Sequence, residues 1–244
     1  MRRLLTIVAL LGLAVLPALT APAPKKDAET PLPPATPEQK ATAVINLKQF
    51  GLALHNYHDT HGFLPANTKT KDGKPGLSWR VQILPFIEED QLYKQFKLDE
   101  AWDSEHNKKL IEQMPKMYTP VRGRAEPGQT FYQMFAGKRT LLGADGQGVT
   151  FAQVVDGLSL TLMVVEGDKP VIWTRPDDIP YDGQKAPKVG GMFDSHFHAV
   201  MGDGAVRRFE KKITAEALRR LIDRADGQEV DINGLGADPD TDKD

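Results

Sequence analysis

The chain has 244 residues, 40% of them hydrophobic and 26% charged, with a formal net charge of −2 and no cysteine. That length holds one sizeable core, and the absence of cysteine excludes disulfides, thiolate metal centres and a lipidated cysteine anchor. The near-neutral charge lacks the basic excess of a nucleic-acid binder.

Residues 1–23 read as a signal peptide. Arg2 and Arg3 form a positive start, Leu4 to Leu16 an apolar run, and Pro17 to Ala23 a small-residue exit. The run has 13 residues, short of the roughly 20 that a membrane span needs. Cleavage is therefore expected, leaving no stable membrane span and an exported protein, periplasmic or otherwise in the cell envelope or outside it. Residues 24–37 form a proline-rich linker, with Pro24, Pro31, Pro33, Pro34 and Pro37 keeping it extended and solvated.

The domain proper is expected over 38–225, and its first element is a long helix. Thr36, Pro37 and Gln39 make a capping-box start with proline at the first helical position. Gly62 and Pro65 supply the stop. Stepping residues at 100° gathers Ala43, Val44, Leu47, Phe50, Gly51, Leu54, Tyr57 and His58 into one sector, with Ile45 and Leu52 on the opposite side. That second strip is either covered by the chain's own segments at 77–114 or offered to a partner, and the expectation leans to covered. After a lysine- and glycine-rich loop at 67–76, Leu77 to Phe96 suggests two short helices hinged at Pro85, with Ser78 as a cap. Another short helix ends at Pro115. The second half changes character: 131–137, 148–154 and 160–166 read as strands. Asp203-Gly204 marks a hairpin between FHAVMG and AVRRF. Thr214 caps a last helix with Leu218, Leu221 and Ile222 inward. Residues 226–244, rich in acids, are expected to form a disordered tail.

Several of these blocks carry a resemblance. NLKQFGLALHNYHDTHGFLP, LSWRVQILPFIEEDQLYKQF, WDSEHNKKLIEQMP, DGLSLTLMVVEG, WTRPDDIPYDG and MGDGAVRRF resemble a large bacterial family of pseudopilin-like proteins, domain of unknown function 1559. The resemblance implies a type II secretion-like pseudopilin fold, a long N-terminal helix on an antiparallel sheet, and no known enzymatic activity. Many members open with a prepilin-type cleavage and methylation segment; that segment is absent here, and residues 1–35 carry a different pattern.

Candidate sites are few. His55 and His58, spaced by three, with Asp59 beside them, have the types and spacing of metal ligands, but the glutamate of a H-E-x-x-H frame is absent. Asp194, Ser195, His196 and His198 are adjacent in sequence, whereas a serine triad needs members converging from separate elements. On a strand, His196 and His198 share one face and would join the helix histidines if the hairpin packs there. The segment 173–183 puts Trp173, Arg175, Asp177, Asp178 and Tyr181 on a proline-containing loop suited to recognising a peptide, a sugar or a neighbouring subunit. Its plain alternative is that Trp173 and Tyr181 fold back to cover an open sheet edge.

The reading is an α+β domain with a long N-terminal helix packed on an antiparallel sheet, short inserted helices and a C-terminal helix. Its expected function is that of an exported, non-enzymatic structural or interaction protein, with protein partners or cell-envelope components and without catalytic residues or cofactors. The alternative is an extracytoplasmic binding module for a small ligand or wall component. A metal-dependent hydrolase built on the histidines ranks third.

Overall fold

A computed structural model describes residues 32–143, 146 and 148–239. The signal segment, most of the linker and the last five residues of the acidic tail lie outside the described residues. From Pro34 onward the described residues form one compact unit.

Helix α1 runs Pro37–His61 and begins as its sequence dictates. The Thr36 hydroxyl accepts from the Gln39 backbone N–H at 3.2 Å, while Gln39 Oε1 accepts from the Thr36 N–H at 3.0 Å. It ends at Gly62, whose φ of 80° suits a residue without a side chain. The expected sector is buried from Ala43 to Tyr57, with Asn46 and Ala53 added to it. Phe50 at its centre stacks on Tyr118 at 5.3 Å and meets Trp79 edge-on at 5.7 Å.

The inserted segment is more broken than a two-helix reading. It holds α2 (Trp79–Gln82), a 3-10 turn at Leu84–Ile87 and α3 (Asp90–Tyr93). Pro85 at the start of the 3-10 turn is one cause, since it has no N–H for helix bonding. Ser78 precedes α2 without capping it; its hydroxyl donates instead to the Trp173 carbonyl at 2.7 Å.

The strands are β1 (Gln129–Gln133), β2 (Phe135–Ala136), β3 (Leu162–Ile172), β4 (Ile179–Pro180), β5 (His196–Met201), β6 (Val206–Glu210) and β7 (Gly236–Ala237). Five of them form an antiparallel sheet in the order β1-β3-β5-β6-β7, and β2 and β4 pair in parallel beside it. Helix α4 (Ala215–Ile222) is capped by the Thr214 hydroxyl, which accepts from the Ala217 N–H. The sheet has a core on each face. Alternation along β5 sends Phe197, Ala199 and Met201 into a cluster with Leu218, Leu221 and Ile222 of α4, while Val200 joins the larger cluster around α1. Helix α1 lies close on the β5–β6 hairpin, and Gly51 permits it: a Cβ there would meet Val200 Cγ2 at 3.0 Å and the Gly204 carbonyl at 3.3 Å.

Two expectations are corrected. Residues 148–154 form no strand; Phe151–Gln153 is a 3-10 turn held by a second capping box between Thr150 and Gln153. Local capping chemistry there outweighs the β-branched content. The acidic segment after α4 is ordered as far as residue 239. Asp156 holds its start by accepting from the Asp226 and Gly227 N–H groups, and its own acids act as caps, Asp226 accepting from the Gln228 N–H and Asp231 from those of Asn233 and Gly234. Strand β7 then extends the sheet by pairing with Arg208 and Phe209.

Candidate functional site

The side of α1 turned away from the sheet is open. Ile45 is 54% and Leu52 64% exposed, so the inserted segments do not cover the second strip, contrary to the covered outcome. Those segments instead form the far wall of a groove of about 730 Å³. Phe86 and Ile87 of the 3-10 turn, with Met117 and Val121, face Ile45 and Leu52 across it. Asn46 lies in its floor, where its Nδ2 donates to the Tyr132 hydroxyl at 3.2 Å. Gln39 Nε2 ties the start of α1 to the Val121 carbonyl at 3.0 Å, fixing one end of the groove. Glu88 closes the 3-10 turn with φ at 64°, a left-handed conformation that costs a non-glycine residue about 1–2 kcal/mol.

The loop after β3 is not a free surface. Trp173 is buried, donates through Nε1 to the Ile111 carbonyl at 2.9 Å and meets Phe96 and Tyr118. Tyr181 is buried against the α4 side. The Asp178 side chain is fully buried as the acceptor of a polar knot: its Oδ1 takes Arg80 Nη2 at 2.8 Å, Trp79 Nε1 at 3.0 Å and the Met134 N–H at 3.0 Å. Its Oδ2 takes Asn67 Nδ2 at 3.0 Å. The cause is the buried Arg80 guanidinium, which draws the carboxylate in. Of the five expected recognition residues, Arg175 and Asp177 stay at the surface, 3.5 Å apart, with Arg175 over the Trp102 ring.

The helix histidines serve packing. His55 Nε2 donates to the Gly202 carbonyl at 2.9 Å, tying α1 to the hairpin turn. His58 Nε2 accepts from the Phe151 N–H at 3.1 Å and its ring stacks on Phe151 at 3.8 Å. Asp59 stands 3.9 Å from His58 Nδ1 and is exposed. Among the described residues no three His, Asp or Glu side chains gather as metal ligands do. The hairpin does pack on α1, but His55 meets its turn, whereas His196 and His198 face the opposite end of α1 beside Lys40 and Val44.

Those two histidines belong to a second polar arrangement. Glu166, fully buried on β3, accepts from the His198 backbone N–H through Oε2 and bonds His198 Nδ1 through Oε1, both at 3.0 Å. Burial, and then the Glu166 carboxylate, push the neighbouring Tyr132 hydroxyl well above its usual pKa. His196 stacks on Phe193, and its Nδ1 lies 3.3 Å from the Ser195 hydroxyl. Its pKa is pulled down to about 4, by burial first and then by the neighbouring His198, Arg208, Lys40 and Lys211 side chains. Asp194 points elsewhere, paired with Arg122 at 2.9 Å, so the DSHFH run builds no triad. Arg80 and Glu166 were not anticipated as buried charges. The signal was there: Arg80 is the one charge in the apolar run 77–87, and Glu166 ends the apolar run of β3.

The fold and the groove together define an α+β protein whose principal helix is buried on one side and open on the other. Residues 40–133, from the first turn of α1 to the end of β1, match the model of the family described as Protein of unknown function (DUF1559). No curated protein and no solved structure matches the chain. Among the described residues no helix is long and apolar enough to cross a membrane.

Proposed function

We propose that this is an exported, non-enzymatic structural or interaction protein, pseudopilin-like in use as well as in shape, which receives an apolar helical face of another protein chain in the groove beside α1. The observation that carries the reading is the exposure of Ile45 and Leu52 along a groove whose far wall carries Phe86, Ile87, Met117 and Val121, with Glu88, Glu89 and Lys116 among them. The two residues are seven apart, about two helical turns, the spacing of anchors that a helix-in-groove contact uses. Export rests on the Arg2–Arg3 start and the apolar run Leu4 to Leu16.

The test expresses the full chain and its Ile45→Glu/Leu52→Glu variant in a bacterial host of the family and recovers both from the extracytoplasmic fraction. The variant should keep its melting transition, because both side chains already contact water. It should lose co-elution with the partner, because a carboxylate cannot enter an apolar contact without compensation. A collapsed transition, or co-elution unchanged, contradicts the groove; an intact Met1 form confined to the cytosol contradicts export.

A further inference from the structure

The open strip of α1 does not end with its two apolar residues. Glu38, Ile45, Leu52 and Asp59 follow one another at seven-residue steps. Each step rises about 10.5 Å along the axis and turns only ~20° around it. All four side chains are exposed, so the strip is an apolar pair with a carboxylate beyond each end. Helix stability accounts for only one of these acids. Glu38 sits in the first turn, where the positive end of the helix dipole favours it, whereas Asp59 sits in the last turn, where the dipole opposes it.

The far wall repeats the sign. Glu88 and Glu89 line the groove, against one lining cation, Lys116. Among the described residues Glu88 is the one non-glycine at positive φ. A turn end of that kind commonly takes glycine, so a charge is kept here in a conformation that glycine would adopt without strain. Among the described residues none of the four carboxylates pairs with a lysine or arginine; Asp59 has His58 Nδ1 at 3.9 Å. The apolar floor of the groove is thus bordered by acids on both walls.

Resting on the groove reading above, we infer that its occupant is a different protein chain presenting a basic-flanked amphipathic helix: two apolar anchors seven residues apart, with lysine or arginine about two turns outside each. The anchors meet Ile45, Leu52, Phe86 and Met117, and the flanking cations meet Glu38, Asp59 and the Glu88–Glu89 pair. A second copy of this chain docking through its own strip is disfavoured. Antiparallel, it would set Glu38 against Asp59; parallel, it would set each against its like, and like charges brought together reject a partner.

The test measures fluorescence anisotropy of three synthetic peptides of about 24 residues, about 36 Å long as helices, with the full chain. All three carry the same leucine anchors, and the flanking positions are lysine, glutamine or glutamate. The lysine peptide should bind at least tenfold more tightly than the glutamate peptide, and added salt should shrink that difference, since exposed charges are screened. Glu88→Gln/Glu89→Gln combined with Glu38→Gln/Asp59→Asn should level the three affinities while the melting transition is kept. Ile45→Ser/Leu52→Ser should weaken all three. Equal affinities for the parent, or preference for the glutamate peptide, would overturn the basic partner and leave the groove standing. Failure of every peptide to bind, or binding unchanged in Ile45→Ser/Leu52→Ser, would overturn the groove reading itself and this inference with it.

Discussion

Arg80 holds its charge with no solvent around it, and the polar knot it makes with Asp178 governs what that part of the chain can do. Its Nε donates to the Tyr132 carbonyl at 2.8 Å and its Nη2 to Asp178, while Nη1 has no hydrogen-bond partner among the described residues. A buried pair of this kind stabilises little against an apolar replacement, but breaking it strands the surviving charge. Asp178→Asn should therefore lower stability by about 3–5 kcal/mol in a denaturant melt, although Trp79 Nε1 and the Met134 N–H keep an acceptor. A loss below about 1 kcal/mol would mean that Arg80 is solvated after all. His196 gives a pH signature. In the folded chain it stays neutral down to about pH 4, whereas an unfolded histidine takes its proton near pH ~6.5. The unfolded state thus binds more protons across that window, so this contribution to stability is present above pH ~6.5 and is lost as pH falls toward ~4. Urea midpoints measured between those values should fall less steeply for His196→Gln than for the parent; equal slopes would contradict the assignment. At this scale the sequence was least legible. A proline-bounded loop with an aromatic and paired acids has the same pattern whether it faces out or in. Only the partner decides, and for Asp178 that partner is Arg80, almost a hundred residues away.

At the scale of elements, what the chain wrote into local chemistry was readable. Capping residues fixed both ends of α1 and the start of α4, and glycine with aspartate fixed the β5–β6 hairpin. The misreadings fell where a short segment satisfied two patterns at once. Residues 148–154 have strand-forming side chains and a capping box, and the box won because Phe151 is also held by His58. The acidic segment after α4 looked too polar to fold, yet its carboxylates accept backbone N–H groups, and its apolar Ile232 is buried. The two faces of α1 can be tested against one another with a pair of identical truncations. Leu54→Ala, on the buried face, should cost about 2–5 kcal/mol, and Leu52→Ala, two residues earlier on the open face, should stay within about 0.5 kcal/mol. Thermal or chemical melts of the two variants check this, and comparable losses would mean that the open strip is covered in solution.

For the whole molecule, the α+β architecture followed from the order of elements, a long helix and then strands. The open groove did not, because the periodicity that reveals a second apolar strip on α1 is silent on whether residues 77–121 cover it or wall it. The absence of cysteine makes that groove addressable, since a single introduced thiol is the only one in the chain. The most direct measurement attaches a short photo-crosslinker to Leu52→Cys in the exported full-length protein, with Val155→Cys as control at a site 76% exposed and outside the groove. A defined adduct with one protein species from Leu52→Cys, abolished by Ile45→Glu in the same chain and absent from Val155→Cys, is the predicted result. Adducts of equal yield from both positions, or none from Leu52→Cys, would contradict a protein partner in the groove.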